Sequence, residues 1–139
     1  MRFIWIFLIC LTVCSFGENK ELNKMKFELT VLKLQKINNN PSLKGIYDKI
    51  FRLQKSMEKK FDTVKEVREL KLKLKASPNS KELKSKLLKL QLTLMQENDE
   101  FMELQRRILL EHKKLAERLR RYKDIKSLED KIAAMEKSK

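Results

Sequence analysis

The sequence predicts an all-α fold: a three- or four-helix bundle, or an elongated antiparallel coiled-coil hairpin, after an N-terminal signal peptide. Helix breakers are scarce, because the chain holds two glycines and two prolines among 139 residues. Apolar residues recur at spacings of three and four through most of residues 18–139, which is the period of an α-helix. Pro41 and Pro78 lie in turn-forming clusters and divide this part of the chain into long helical tracts.

The first 17 residues have the pattern of a secretory signal peptide. Arg2 precedes an apolar run that extends, with small interruptions, to Phe16. The run is shorter than the ~20 residues that span a bilayer, so we expect cleavage, after Gly17 or after Ser15, rather than an uncleaved anchor. The predicted location is therefore extracellular.

Both cysteines, Cys10 and Cys14, lie within this predicted signal. Residues 18–139 then form a cysteine-free mature chain without disulfides, thiol chemistry or a cysteine metal site. Stability must come from helix packing, from binding, or from a homo-oligomer built through heptad faces.

The first predicted helix covers residues 18–37 and ends at the cluster Asn38-Asn39-Asn40-Pro41. It is apolar on two nearly opposite faces, which favours two neighbours, or one neighbour and a lipid. The two faces comprise Leu22, Met25, Leu29 and Leu32, and Phe27, Val31 and Leu34.

The second predicted helix covers residues 42–75, with Asn40 as its cap and Pro41 in its first turn. Its apolar stripe comprises Leu43, Ile46, Ile50, Leu53, Met57, Phe61, Val64 and Val67. A break at residues 77–80 follows, where Asn79 and Glu82 resemble a capping box.

The third predicted helix covers residues 80–122 and the fourth covers residues 128–137. The third follows an approximate heptad pattern through Leu83, Leu87, Leu90, Leu94, Phe101, Leu104, Ile108, Leu115 and Tyr122. Glu97, Glu111 and Arg118 occupy expected core positions, and the polar residues 96–100 are compatible with a bend.

The short break between the second and third helices predicts an antiparallel hairpin. In that hairpin Ile50, Met57, Phe61 and Val64 should face Leu83, Leu87, Leu90 and Leu94. The first helix would lie along the hairpin, or the hairpin would complete its core by dimerising.

The sequence does not favour an enzyme, a metal site or a cofactor. His112 is the single histidine, and Gly45 is the single glycine after residue 17, so a glycine-rich phosphate loop is excluded. The densest carboxylates, Asp99, Glu100 and Glu103, are typical of a salt-bridged helix face.

The charge predicts an anionic partner. The chain carries +14, and removing Arg2 with the signal leaves +13. For an exported protein, such a charge favours acidic glycans, anionic membrane surfaces or acidic proteins, and nucleic acid is not expected. The alternative is that lysines solvate long helices while the 19 acidic residues pair locally.

The highest density of positive charge lies between Arg106 and Lys123. We predict that polyanion binding uses Arg106, Arg107, Lys113, Lys114, Arg118, Arg120, Arg121 and Lys123, called the basic region below. Four of them, Arg107, Lys114, Arg118 and Arg121, should lie within about 60° on one helix face. The alternative is neutralisation by intrahelical pairs, Glu103 with Arg107 and Glu117 with Arg121.

These observations predict a non-catalytic binding protein with an anionic extracellular partner. The rival function is a lipid- or membrane-active helical protein. In size, charge and helix content the chain resembles exchangeable apolipoproteins and secreted basic helical lysins, although no diagnostic motif carries the resemblance.

Overall fold

Residues 19–138 are described by a computed structural model, and every regular element in that part of the chain is an α-helix. The helices are α1 (Lys20–Asn39), α2 (Pro41–Phe61), α3 (Lys65–Ala76), α4 (Lys81–Glu97), α5 (Asp99–Leu119) and α6 (Lys123–Lys137). The predicted all-α class is confirmed. The predicted signal peptide, 1–17, lies outside the described residues. None of the described helices has both the length and the apolar character required to cross a bilayer.

The described residues divide into two compact units. The first unit comprises residues up to 43 and residues from 117, and therefore contains α1 and α6. The second unit comprises residues 44–116 and contains α3, α4 and most of α2 and α5.

The first unit is an antiparallel pair of α1 and α6. Its core comprises Leu22, Ile37, Leu43, Leu119, Ile125 and Ile132. Three ion pairs join the two helices: Lys26–Glu136 at 2.6 Å, Lys33–Glu129 at 2.7 Å and Lys36–Asp124 at 2.8 Å. Residue numbers rise along α1 as they fall along α6, so these contacts fix an antiparallel register.

The apolar faces of α1 have different surroundings. Leu22 and Ile37, on the face toward α6, are buried. Phe27, Val31 and Leu34, called the apolar ridge below, are 68%, 38% and 42% exposed. The first unit therefore covers one apolar face of α1 and leaves the other open.

The second unit contains two helix pairs. α3 packs on α4 as a hairpin closed by residues 77–80, with Val67 and Leu87 buried. α2 lies along α5, because the rings of Phe61 and Phe101 stack with their centroids 4.7 Å apart. Lys49 Nζ lies 2.6 Å from Glu111 Oε1, and Lys60 pairs with Glu100.

Two asparagines each end one helix and begin the next. Asn40 Oδ1 accepts hydrogen bonds from the backbone N–H groups of Ser42 (3.0 Å) and Leu43 (3.3 Å), which confirms the predicted cap. Asn98 Oδ1 accepts from Glu100 N (3.1 Å) and Phe101 N (3.4 Å). These caps satisfy N–H groups that the first helical turn leaves without partners.

The cap of α4 differs from the predicted one. Ser80 Oγ, not Asn79, accepts a hydrogen bond from Leu83 N at 3.3 Å. Because α4 begins at Lys81, Glu82 is the second helical residue and lies too early for a capping box with Ser80.

The second predicted helix, 42–75, is wrong as a single element. The chain leaves the helix at residues 62–64, where Thr63 Oγ1 donates to Lys60 O at 2.7 Å and Val64 is extended. Side-chain hydrogen bonds of this kind compete with the helical ladder, and two adjacent β-branched residues weaken it further.

The third predicted helix, 80–122, is also divided, within the polar residues 96–100 that the sequence indicated as compatible with a bend. The helix breaks at Asn98, where the backbone is extended and the side chain accepts hydrogen bonds from the next helix in place of the continuous helical hydrogen bonds. The second of the two resulting helices, α5, ends at Leu119. The outer helices differ less, since α1 reaches Asn39 rather than residue 37, and α6 begins at Lys123 rather than residue 128.

The breaks change the packing of the predicted hairpin. Because α2 and α4 are each followed by a break, α2 lies along α5 and α3 lies along α4. Phe61 therefore packs on Phe101 instead of on the α4 leucines. The prediction that Ile50, Met57, Phe61 and Val64 face Leu83, Leu87, Leu90 and Leu94 is wrong, and Val64 ends a turn outside α2 and α3.

Replacing Phe61 with alanine should lower the free energy of unfolding by about 3–5 kcal/mol, because its side chain is 3% exposed and stacks on Phe101. Phe51→Ala is the matched control on the same helix, because Phe51 is 49% exposed and should cost below about 1 kcal/mol. Urea unfolding measures both. Equal losses for the two variants would contradict the described core.

Candidate polyanion-binding region

The basic region lies on α5, on the turn after it, and at the start of α6. The buried face of α5 comprises Phe101, Ile108, Glu111, Leu115 and Leu119, and all eight basic side chains are exposed. Arg106, Arg107, Lys113 and Lys114 belong to the second unit, and the other four residues belong to the first. Each unit therefore exposes four of the predicted cations.

One predicted cation lies off the helix face. α5 ends at Leu119, so Arg121 lies in the turn before α6 rather than on the same face as Arg107, Lys114 and Arg118. The predicted 60° face is therefore wrong for Arg121. The backbone N–H of Arg121 donates to Arg118 O at 3.3 Å, which holds the turn.

Four cations of the basic region have polar side-chain contacts. In the second unit, Lys114 Nζ lies 3.1 Å from Glu111, and Arg106 Nε lies 3.9 Å from Glu103. In the first unit, an Arg118 guanidinium N–H donates to Ser42 Oγ at 2.5 Å, and Arg120 Nε lies 3.3 Å from Glu129. The contacts with Glu111, Glu103 and Glu129 offset part of the positive charge, whereas Ser42 brings no negative charge.

The other four, Arg107, Lys113, Arg121 and Lys123, are called the open cations below. Within residues 19–138 their side chains make neither an ion pair nor a hydrogen bond. The intrahelical pairs of Glu103 with Arg107 and of Glu117 with Arg121 are not formed in this part of the chain, because Glu103 contacts Arg106 and Arg121 has left the helix. Four exposed positive charges therefore lack a neutralising contact there.

Glu111 is a buried carboxylate held by two lysines. Its side chain is 8% exposed and accepts hydrogen bonds from Lys49 Nζ at 2.6 Å and Lys114 Nζ at 3.1 Å. These hydrogen bonds lower the pKa of Glu111, and burial opposes them only in part. Because Glu111 occupies a core position of the heptad pattern, it links α2 to α5 with two lysines at its carboxylate.

The residues considered for catalysis or metal binding do not converge. His112 is half-buried on α5, where burial lowers its pKa. Asp99, Glu100 and Glu103 are exposed, and Glu100 pairs with Lys60. In the described part of the chain, no three histidine, cysteine or acidic side chains come together as a metal site would require.

A shallow apolar groove on the second unit was not predicted from the sequence. It has a volume of about 620 Å³ and runs from the end of α4 along α5. Met95, Met102, Leu109 and Leu110 supply its apolar lining, and Arg106 and Lys113 supply its charged groups. The available signal was the pair Met102 and Leu109, seven residues apart and outside the heptad stripe.

Glu111→Gln should lower the free energy of unfolding near neutral pH. It should also make that free energy depend less on pH in the acidic range. Hydrogen bonds from two lysines lower the folded-state pKa of Glu111 below 4.5, so the carboxylate stabilises the fold above that pH. This contribution is lost as the pH falls from 4.5 through the lowered folded-state pKa. The stability difference between the original chain and Glu111→Gln should therefore shrink over that interval.

Denaturant unfolding at several pH values measures this difference. Glu97→Gln is the control, because Glu97 is exposed and forms no ion pair within residues 19–138, and this substitution should change the free energy of unfolding little. A pH-independent effect of Glu111→Gln would show that the two lysines do not act on its charged form.

Comparisons of the chain with protein-family models, with curated proteins and with solved structures found no match.

Proposed function

We propose that this chain is a secreted, basic, non-catalytic helical protein that binds an anionic extracellular partner through the basic region. The partner classes that fit are acidic glycans, anionic membrane surfaces and acidic proteins. The observation that carries the proposal is the set of open cations, Arg107, Lys113, Arg121 and Lys123, whose charge no described residue neutralises.

The distribution of acidic residues supports this proposal. In the first unit, Glu136, Glu129 and Asp124 pair with lysines of α1 and so hold the helix pair together. In the second unit, Glu111 and Glu100 pair with Lys49 and Lys60 of α2. Several carboxylates thus serve the fold, while the open cations extend into solvent.

Arginine suits such a role better than a general excess of lysine. A guanidinium can donate two parallel hydrogen bonds to one sulfate, phosphate or carboxylate, whereas lysine acts as a point charge. Arg107 and Arg121 would provide this geometry, one in each unit, and Lys113 and Lys123 would add attraction at longer range.

A second candidate function is a lipid- or membrane-active helical protein, and the apolar ridge favours it. Phe27, Val31 and Leu34 form an exposed apolar face on α1, with Lys20 and Lys24 near its N-terminal end. An interfacial helix inserts such a face into the acyl boundary while its lysines contact anionic headgroups. The same ridge could instead join two copies of the chain.

Binding to immobilised heparin across a salt series tests the first proposal. The double variants Arg107→Gln/Lys113→Gln and Arg121→Gln/Lys123→Gln each remove two open cations from one unit. Each should weaken binding by tenfold or more, since a hydrogen bond to a charged group contributes about 1.5–3 kcal/mol and about 1.4 kcal/mol corresponds to tenfold. Binding of the original chain should fall steeply toward 1 M salt, where the Debye length is ~3 Å.

Matched controls remove the same charge elsewhere in each unit. Lys59→Gln/Lys84→Gln and Lys20→Gln/Lys137→Gln replace exposed lysines outside the basic region and should change binding much less. If control and test variants weaken heparin binding equally, net charge alone acts and the basic region is not a site.

Binding to neutral vesicles distinguishes the membrane-active function from polyanion binding. Apolar insertion persists at high salt and raises helix content, and Phe27→Ser should abolish it. Salt-resistant binding to neutral vesicles that requires Phe27 would favour the membrane-active protein over the polyanion-binding protein.

A further inference from the structure

We propose that the apolar groove between α4 and α5 binds an acidic amphipathic helix of a partner protein. The proposal rests on the proposed function, because it selects an acidic protein among the anionic partners. The two proposals use different binding surfaces. The proposed function uses the open cations as a set, whereas this proposal uses the groove lined by Met95, Met102, Leu109 and Leu110.

The groove exposes apolar side chains that the core does not use. Met102, Leu109 and Leu110 are 40%, 60% and 47% exposed, although each belongs to a helix whose opposite face is buried. Contiguous exposed apolar surface bounded by polar groups is typical of an interaction site. Two methionines in such a surface can adapt to different side chains, because their unbranched thioethers change rotamer readily.

The dimensions of the groove suit a helix. Its α5 lining runs from Met102 to Lys113, which is roughly 16 Å at ~1.5 Å per residue, or about three helical turns. A helix that places apolar residues at positions i, i+3 or i+4, and i+7 would bury them along this length. A planar bilayer would meet convex ridges first, and an acidic glycan would leave the apolar lining unused.

The charge of the groove selects an acidic occupant. Both charged residues that line it, Arg106 and Lys113, are cationic, and no carboxylate lines it. Lys113 is an open cation, and Arg106 has only the distant, exposed Glu103 at 3.9 Å. Carboxylates flanking the apolar positions of the incoming helix would pair with these two residues, whereas a second copy of this strongly basic chain would be repelled.

The test uses the full chain and a fluorescent designed peptide. The peptide is a helix with leucines at i, i+4 and i+7 and glutamates on the flanking positions. Its control has the same composition in scrambled order, so that charge is kept and the apolar face is lost. Fluorescence anisotropy should show that the amphipathic peptide binds at least about tenfold more tightly than the scrambled one.

Two protein variants locate the binding. Leu109→Glu places a negative charge in the groove and should weaken binding of the amphipathic peptide by about tenfold or more. Leu72→Glu is the matched control, because Leu72 lies on α3 in the same unit and is 63% exposed against 60% for Leu109. Circular dichroism checks that both variants fold.

Three results of the peptide experiment would overturn the proposal: no binding of the amphipathic peptide, equal binding of the scrambled peptide, or equal loss of binding in the two variants. A parallel heparin measurement keeps the two proposals apart. If the original chain binds heparin but not the peptide, the groove proposal alone is contradicted. If the original chain does not bind heparin, the proposed function is contradicted. Self-association that Leu109→Glu abolishes would assign the groove to a second copy and also overturn the proposal.

Discussion

The antiparallel register within each unit is the constraint on which the helix boundaries, the core and the surface charge depend. A break in one helix of a pair must lie opposite a break in its partner, because otherwise one stripe of apolar residues would lose its facing surface. In the first unit, the break at Asn40 meets the turn at residues 120–122, and Asn40 Nδ2 donates to Tyr122 OH at 3.1 Å. The second unit contains the other two helix pairs.

The second unit repeats the arrangement. Residues 62–64 leave the helix just after Phe61, and Asn98 leaves it just before Phe101. The stack of these two rings, 3% and 2% exposed, lies next to both breaks. A shift of one heptad would separate the rings and would remove Lys49 from the buried carboxylate of Glu111, which would keep only Lys114 of its own helix. Losing one partner is costly for a charge with so little access to water.

The same register decides which charges remain available. Carboxylates that face lysines on a partner helix are neutralised within the fold, as in Lys33–Glu129 and Lys49–Glu111. Within residues 19–138, the open cations on α5, in the turn after it and at the start of α6 form no ion pair with a carboxylate. Helix pairing therefore determines which surface charges remain without an ion pair. The proposed anion binding uses the open cations, which this pairing does not neutralise.

Much of this fold follows from composition and spacing. The all-α class, the helix end near Asn40 and the hairpin turn after Ala76 were predictable, because prolines and asparagines mark those positions. The break at residues 62–64 was not, because it contains neither proline nor glycine and depends on a side-chain hydrogen bond to the backbone. The polar residues 96–100 indicated a bend, but not that Asn98 ends one helix and caps the next. Because the break after Phe61 was not predicted, Phe61 was expected to face the leucines of α4, whereas it stacks on Phe101 of α5.

The candidate site was predictable in composition and not in detail. Local sequence showed the concentration of cations from Arg106 to Lys123. Several pairings were open to each cation, and spacing did not decide that Glu103 contacts Arg106 or that Arg120 contacts Glu129 across the turn. Which cations stay open could therefore not be derived from spacing alone. The groove was not predicted, because its lining combines the end of α4 with one face of α5, and the bend indicated between them did not show which side chains it brings together.

Cysteine cross-linking tests the register most directly, because residues 18–139 contain no natural cysteine. The pairs Lys33→Cys/Glu129→Cys and Lys49→Cys/Glu111→Cys each replace an ion pair, and a bismaleimide of matching length should link them within one chain. The pair Lys33→Cys/Glu136→Cys, displaced by one heptad, should link poorly. Efficient linking of the displaced pair, or links formed between chains instead of within one, would contradict the register and with it the assignment of the open cations.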